Sequence, residues 1–399
     1  MRRENGTGNI TKRKDGRWVG RYDTGLKNAD GKRIIKSVYG RSEPEVKRKL
    51  REVRDTFKST EPINVQKSIV KDFMTTWLTT VKKNDLKPTS YDRLETTLNK
   101  DVFPYIGNLQ VHNVTSDHIQ DMITKLRDEA NRGYSTIKKA YDAVNGCWKW
   151  ALNQKPPKVK YNPCAGVTIP KKKTFANSNQ KVKFFTQEEA QRLISQALSC
   201  WGNGVRRYPL GSFVPLVINT GLRMGELLAL QWDRDIDLEA KQLTVHTGMS
   251  IIKDREKEKD DKSKPTYILV EQDTVKSDAG QDRTIDLNDA AITALEDLMA
   301  VTGQYTNVMT TSNGTIVKPR QLDQMFRRIQ AAAGFEEEHI YGVHSLRHTF
   351  ATLLIYNGID IKIISKLMGH SDVSTTYNTY IHVIKEQQAK AVQSIPKLT

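Results

Sequence analysis

Residues 344–382 read HSLRHTFATLLIYNGIDIKIISKLMGHSDVSTTYNTYIH, a largely helical pattern set with histidine, arginine and tyrosine. On a helix His344 and Arg347, three apart, share a face. His344 and His348, four apart, have the spacing of a two-histidine metal site. No carboxylate stands between them, and Arg347 lies on the same face, where a fixed cation repels a metal ion. No metal is therefore expected. Further along come Leu367-Met368-Gly369-His370 and Thr376-Tyr377-Asn378-Thr379-Tyr380-Ile381-His382. Upstream, Thr220-Gly221-Leu222-Arg223-Met224-Gly225-Glu226 closes one apolar segment and opens a helix. Residues 223 and 226 then share a face, and a buried arginine beside a glutamate reads as an oriented guanidinium. Taken singly, each feature has a plain structural explanation: a salt bridge, a helix cap, a core tyrosine. Their order along one chain is what carries information.

The rest of the chain says what surrounds these residues. It has 399 residues, 37% of them hydrophobic, and a formal net charge of +17. That charge attracts polyanions, nucleic acid first among them. Cys147, Cys164 and Cys200 make neither a C-x-x-C pair nor a zinc spacing, as expected of reduced thiols. The basic start Met1-Arg2-Arg3 is followed by no apolar stretch, so no signal peptide is expected. No run approaches the ~18 apolar residues of a membrane span. No G-x-x-x-x-G-K-[ST] occurs, which argues against a P-loop ATPase.

Residues 1–57 hold 17 Lys/Arg against 8 Asp/Glu, more than half of the chain's excess charge. The turn Asp15-Gly16 between two short segments reads as a β-hairpin, with a third strand at 33–39. Ser42 and Glu45 then open a helix with a capping box. The expectation is a small three-stranded sheet backed by a helix, residues 1–60, with Arg17, Trp18, Arg21 and Tyr22 laid against DNA. A small basic module for protein or RNA is the alternative. Residues 66–165 read as an all-helical domain: Val70, Phe73, Met74, Trp77 and Leu78 recur at helix spacing, as do apolar positions in 94–102, 119–126 and 137–152. Thr115 and Ser135 are the expected caps of two of these helices, and Asn162-Pro163 the expected stop of the last. A linker, 166–184, carries Lys171, Lys172 and Lys173, exposed and close to phosphate or simply solvated. Residues 185–399 read as a mainly α domain with a small antiparallel sheet. Thr186 with Glu189 caps its first helix, strands are expected at 243–246, 267–270 and 283–287, and the charged run 253–264 is a hairpin tip.

In this order the motifs resemble the tyrosine recombinase family, the phage and conjugative-transposon integrases, over residues 66–385. The family pattern is Arg, Lys, His-x-x-Arg, His/Trp, Tyr. The matching positions here are Arg223, Lys276, His344, Arg347, His370 and Tyr380. The N-terminal module resembles, less specifically, the arm-type DNA-binding domain of conjugative-transposon integrases. Lys276 is chosen over nearby Lys262 and Lys264 because Thr274-Val275-Lys276-Ser277 precedes a turn and a strand, like the family's lysine-bearing hairpin. Met368 is the one small departure, and it leaves the chemistry intact.

The resemblance implies site-specific recombination through a 3′-phosphotyrosyl link and a Holliday junction, on core and arm DNA sites. It implies a homotetramer, with or without an accessory bending or excision factor, in the bacterial cytoplasm. No cofactor is expected. Two arginines, Arg223 and Arg347, suit the non-bridging phosphate oxygens, because guanidinium binds them bidentately. A phenol with a pKa near 10 needs help to attack. The family assigns proton assistance to His344, a phosphate hydrogen bond to His370 and the role of general acid to Lys276. Glu226 orients Arg223. The C-terminal tail, with Ala389, Val392, Ile395 and Leu398, either docks on a neighbouring subunit or frays. The rival readings are a type IB topoisomerase-like relaxing enzyme and a non-catalytic DNA-binding protein on the same fold.

Overall fold

Alternation along Trp18-Val19-Gly20-Arg21-Tyr22 builds the first sheet. The computed structural model describes residues 9–13, 17–27, 33–40, 42–58, 68–175, 182–255, 266–273 and 283–393. Strand β1 (Asn9–Lys12) pairs antiparallel with β2 (Trp18–Lys27), and β2 with β3 (Arg33–Gly40). Helix α1 (Glu43–Lys58) lies on one face, so close that a Cβ at Gly20 would come within 1.8 Å of Leu50. Ser42 accepts the Glu45 N–H at 3.4 Å. Tyr22, Val46 and Leu50 form the small core, with Trp18 packed against it.

That packing gives two of these side chains a structural setting. Trp18 and Tyr22 point with Gly20 toward α1 and hold the module together. Arg17 and Arg21 remain exposed, beside exposed Ile35 and Tyr39 of β3.

The helical segment forms around Met74, Leu98, Ile119, Met122, Val144 and Trp148, all essentially inaccessible. Its main helices are α2 (Val70–Trp77), α3 (Pro88–Thr97), α4 (Ser116–Asp128) and α5 (Tyr134–Asn153). Thr115 caps α4 with a full capping box. Two boundaries differ from the sequence reading. The cap of α5 is Gly133, in extended conformation, and Ser135 sits inside the first turn. The same helix stops at Asn153, ahead of Pro156-Pro157, which cannot continue it. Asn162 instead pins a turn, donating to Asn145 and accepting from the Cys164 N–H. The expected linker is folded back in its first half: Thr168 exchanges two hydrogen bonds with Gln120, and Phe175 packs edge-on to Tyr134. Lys171 and Lys172 are exposed there.

The chain divides into two compact units, Met1–Asn179 and Gln180–Thr399. The second opens with α6 (Gln187–Ala197), closed by the reciprocal Thr186–Glu189 capping box. Next come the apolar α7 (Phe213–Thr220) and the short α8 (Met224–Ala229). Gly221 ends α7 in the left-handed region at φ 66°, where a Cβ would come within 2.4 Å of Phe350. Strands β4 (Ile236–Asp237), β5 (Gln242–Val245) and β8 (Arg283–Asp286) make one antiparallel sheet. Strands β6 (Thr247–Lys253) and β7 (Tyr267–Asp273) make a separate hairpin. The sequence reading placed no strand at 247–253. Helices α9 (Asp289–Thr302), α10 (Pro319–Ala332), α11 (His344–Tyr356), α12 (Ile361–Leu367) and α13 (Val373–Gln393) complete the fold. Residues 256–264 of the expected tip 253–264, the Lys276 segment and the tail residues Ile395 and Leu398 lie outside the described residues. Among the described residues no helix is long and apolar enough to cross a membrane.

Candidate active site

Five stretches of the second unit meet at one place. Arg223 stands at the N-cap of α8, and its fixed partner Glu226 lies in the first turn, 2% exposed. Glu226 accepts the Arg223 backbone N–H at 2.9 Å and its Nη1 at 2.6 Å. Arg223 Nη2 donates to the Gly369 carbonyl at 3.0 Å. From β8, Arg283 donates Nη2 to the second Glu226 oxygen at 2.8 Å. Burial alone would raise the Glu226 carboxyl, but Arg283 and then Arg223 outweigh it, and its pKa stays below the ordinary value.

Helix α11 supplies three residues. Arg347 is 1% exposed, and its two terminal nitrogens donate to the carbonyls of Gly221 and Met368. Burial, then neighbouring Arg223, lowers its pKa to about 9. His344 stands at the rim, its ring edge-on to His348 with centroids 4.6 Å apart. The packing around His344, then Arg347 and Arg223, holds its pKa below 6.5.

The turn at Met368-Gly369-His370 carries the next group. Arg347 Nη2 lies 3.1 Å from His370 Nε2, and His370 Nδ1 lies 2.7 Å from Thr376 Oγ1. A guanidinium only donates, so Nε2 accepts and Nδ1–H donates to Thr376. Burial, then Arg347, pushes His370 down to about 4, so it is neutral at pH 7.

Tyr380 lies two turns into α13, 0% exposed. Its hydroxyl is 2.7 Å from His348 Nδ1. Burial and then His344 hold His348 at about 4. Burial raises the Tyr380 phenol, and Arg347 only partly offsets this. The hydroxyl therefore keeps its proton and shares a hydrogen bond with neutral His348.

The structure thus brings together Arg223, Glu226, His344, Arg347, His370 and Tyr380. Three partnerships in the DNA-free site were not part of the sequence reading. The partner of the Tyr380 hydroxyl is His348, which the sequence reading weighed only as a metal ligand. Arg347 and the Nε2 of His370 are occupied by each other and by carbonyls, which leaves Arg223, 37% exposed at its side chain, as the guanidinium open to solvent. Arg283, unnoticed in the sequence, shares Glu226. A signal for it existed: an arginine opening the strand just after the Lys276 turn. Lys276 itself lies outside the described residues.

Comparison with known proteins places this geometry in context. The model of the phage integrase family matches residues 183–387, and that of the phage integrase N-terminal SAM-like domain matches 69–127. The chain is similar to a "tyrosine recombinase XerC-like" protein of Caldanaerobacter subterraneus, 28% identical over 93% of this chain and 94% of that one. It is also similar to the ICEBs1 integrase of Bacillus subtilis, 23% identical over 79% of each. Among solved structures, the Tn1549 transposon integrase bound to transposon right end DNA is 18% identical and covers 81% of this chain and 99% of its own, with a TM-score of 0.60. A lambda integrase tetramer bound to a Holliday junction is 15% identical over 94% and 96%, with a TM-score of 0.54. At these identities the structural likeness speaks for the fold.

Proposed function

The chain belongs to the phage integrase family, and from that premise we propose that it is a tyrosine recombinase that cuts and rejoins DNA in site-specific recombination of a mobile element. The observation that carries the assignment is the convergence of Tyr380 with His348, Arg347, Arg223 and His370 from segments far apart in sequence.

Attack by the Tyr380 oxygen on a DNA phosphorus forms the Tyr–O–P bond and breaks the P–O5′ bond. The product is a 3′-phosphotyrosyl link and a free 5′ hydroxyl. The link conserves the bond energy, so a second 5′ hydroxyl can reverse the step without ATP. Two guanidinium groups, Arg223 and Arg347, are suited to the charge that builds on the non-bridging oxygens. Lys276 is the proposed donor to the leaving 5′ oxygen, and His344 the proposed acceptor of the proton that Tyr380 gives up.

The DNA-free state holds the nucleophile back. Tyr380 is buried and fully protonated, and His348 at about 4 is too weak a base to ionise it at rest. Engagement requires α13 to shift so that the hydroxyl leaves His348 and Arg347 releases its carbonyls to phosphate. We assign residues 66–165 to core-site binding, with the linker lysines Lys171 and Lys172 near phosphate, and 1–60 to arm-site binding through Arg17 and Arg21. Work on two DNA sites implies a tetramer on DNA, the assembly in which lambda integrase has been solved on a Holliday junction, and we place it in the cytoplasm.

The test is covalent capture on duplexes that carry candidate element ends and a nick beside the cut. Wild-type protein should become linked to DNA, and Tyr380→Phe should bind the same duplex without linkage. Undiminished linkage in Tyr380→Phe would remove the nucleophile assignment.

A further inference from the structure

We propose that Arg283 is a positioning residue of the phosphate clamp: it shares the Glu226 carboxylate with Arg223, so that Arg223 keeps its charge for DNA, and it pins the turn that carries His370. The inference rests on the recombinase reading above and concerns a residue outside the family's catalytic pattern.

Charge is the first reason. Arg223, Arg283 and Arg347 surround one buried carboxylate, Glu226. The adjacent histidines 348 and 370 are neutral at pH 7. Among the described residues of the clamp, two positive charges are therefore in excess. Addition of a tyrosinate to a phosphodiester builds two negative charges on the phosphorane-like species, so the site matches it. Without Arg283, Glu226 and Arg223 would close into a neutral pair at 2.6 Å, and the excess would fall to one.

Geometry is the second. Arg283 donates Nη2 to Glu226 Oε2 at 2.8 Å and Nη1 to the Met368 carbonyl at 3.3 Å. The same carbonyl accepts from Arg347, and the next one, of Gly369, accepts from Arg223. Two consecutive carbonyls thus gather all three guanidinium groups directly before His370. The turn is shaped around Arg283: Gly369 has φ +62°, and a Cβ there would stand 2.3 Å from Arg283 Nη1. A lysine cannot span carboxylate and carbonyl with one fork. Arg283 itself is only 14% exposed at its side chain, which suits action through Arg223 rather than on DNA.

The test compares wild type, R283K, R283Q, E226Q and R283Q/E226Q for single-turnover covalent capture on a nicked element-end duplex, with DNA affinity measured alongside. R283Q should slow capture about 100-fold, the scale of losing one charge-stabilising group, with affinity changed by less than about 3-fold. R283K should lose about 10-fold, because charge returns without the fork. The double variant separates this role from simple support. Removing the Glu226 charge frees Arg223 again, so R283Q/E226Q should capture about 10-fold faster than R283Q. A double variant no faster than R283Q, or R283Q capturing at the wild-type rate, overturns the proposal. If R283Q does not fold, R283K against R283K/E226Q makes the same comparison. Failure of wild type to capture DNA sinks the recombinase reading, whereas capture by wild type with indifferent Arg283 variants sinks this inference alone.

Discussion

Replacing Tyr380 by Phe removes one oxygen from a fully buried side chain whose hydroxyl sits 2.7 Å from His348 Nδ1. The hydroxyl is proposed as the nucleophile, so covalent capture disappears. The structure also predicts a cost before DNA arrives. Removing one partner of a buried hydrogen bond leaves the other unpaired, at about 1–3 kcal/mol. Tyr380→Phe orphans His348, and His348→Leu orphans the phenol, so each should weaken the docking of α13 by about that amount. In the double variant both partners are apolar and neither is orphaned, so its cost falls short of the sum by about 1–2 kcal/mol. Hydrogen exchange of the α13 amides near Tyr380 reads this directly, with about tenfold faster exchange for each 1.4 kcal/mol lost. Denaturant melts of the four proteins supply the cycle a second time. A coupling below about 0.5 kcal/mol would mean that the hydroxyl does not rest on His348 in the DNA-free protein, and the picture of a withheld nucleophile would fail.

Three further outcomes follow from the same site. His348 and His370 are each held near pH 4, against an unfolded value of about 6.5. Between those values the unfolded chain binds more protons. The stability they contribute is therefore complete above about pH 6.5 and drains away as pH falls toward 4. Thermal melts from neutral to acid pH should show that slope, flatter in His370→Asn, and equal slopes would discount His370. Gly369→Ala forces a Cβ into a left-handed residue at φ +62° and against Arg283. It should cost about 1–2 kcal/mol and slow capture at least tenfold, which melting and single-turnover assays would check; unchanged values would show that the turn accommodates a side chain. Arg17→Ala and Arg21→Ala should each lower the salt dependence of DNA binding by about one unit of slope without unfolding the sheet. Trp18→Ala should destabilise that module by removing a side chain packed against its core. The reverse pattern would place Trp18 on DNA.

Much of this was legible in linear order. The helix periodicity of 70–78, the cap at Thr115, the capping box at Thr186, and the antiparallel β1–β2 pairing all follow from local chemistry. Where the sequence reading slipped, a nonlocal or competing term decided. Helix α5 is capped by Gly133 rather than Ser135 and ends before Pro156-Pro157 rather than at Asn162-Pro163. Residues 247–253 were not read as a strand because pairing with 267–273, across a charged insertion, makes them one. The packing of Trp18 against the core beneath α1 is likewise set by tertiary structure.

By itself, the sequence determined the kinds of group the site contains and the short-range relations among them. The i, i+3 spacing of Arg223 and Glu226 makes them partners on any helix, and that of His344 and Arg347 places them on one face. Tertiary structure alone decided which partner each group takes across long separations. The Tyr380 hydroxyl meets His348 rather than His344, Arg283 reaches Glu226 over 57 positions, and Met368 and Gly369 offer their carbonyls to three arginines. The physical reason is burial. Once α13 and the 368–370 turn close over the site, most buried donors and acceptors take a partner within the protein. Which one each finds depends on distances that no spacing along the chain encodes.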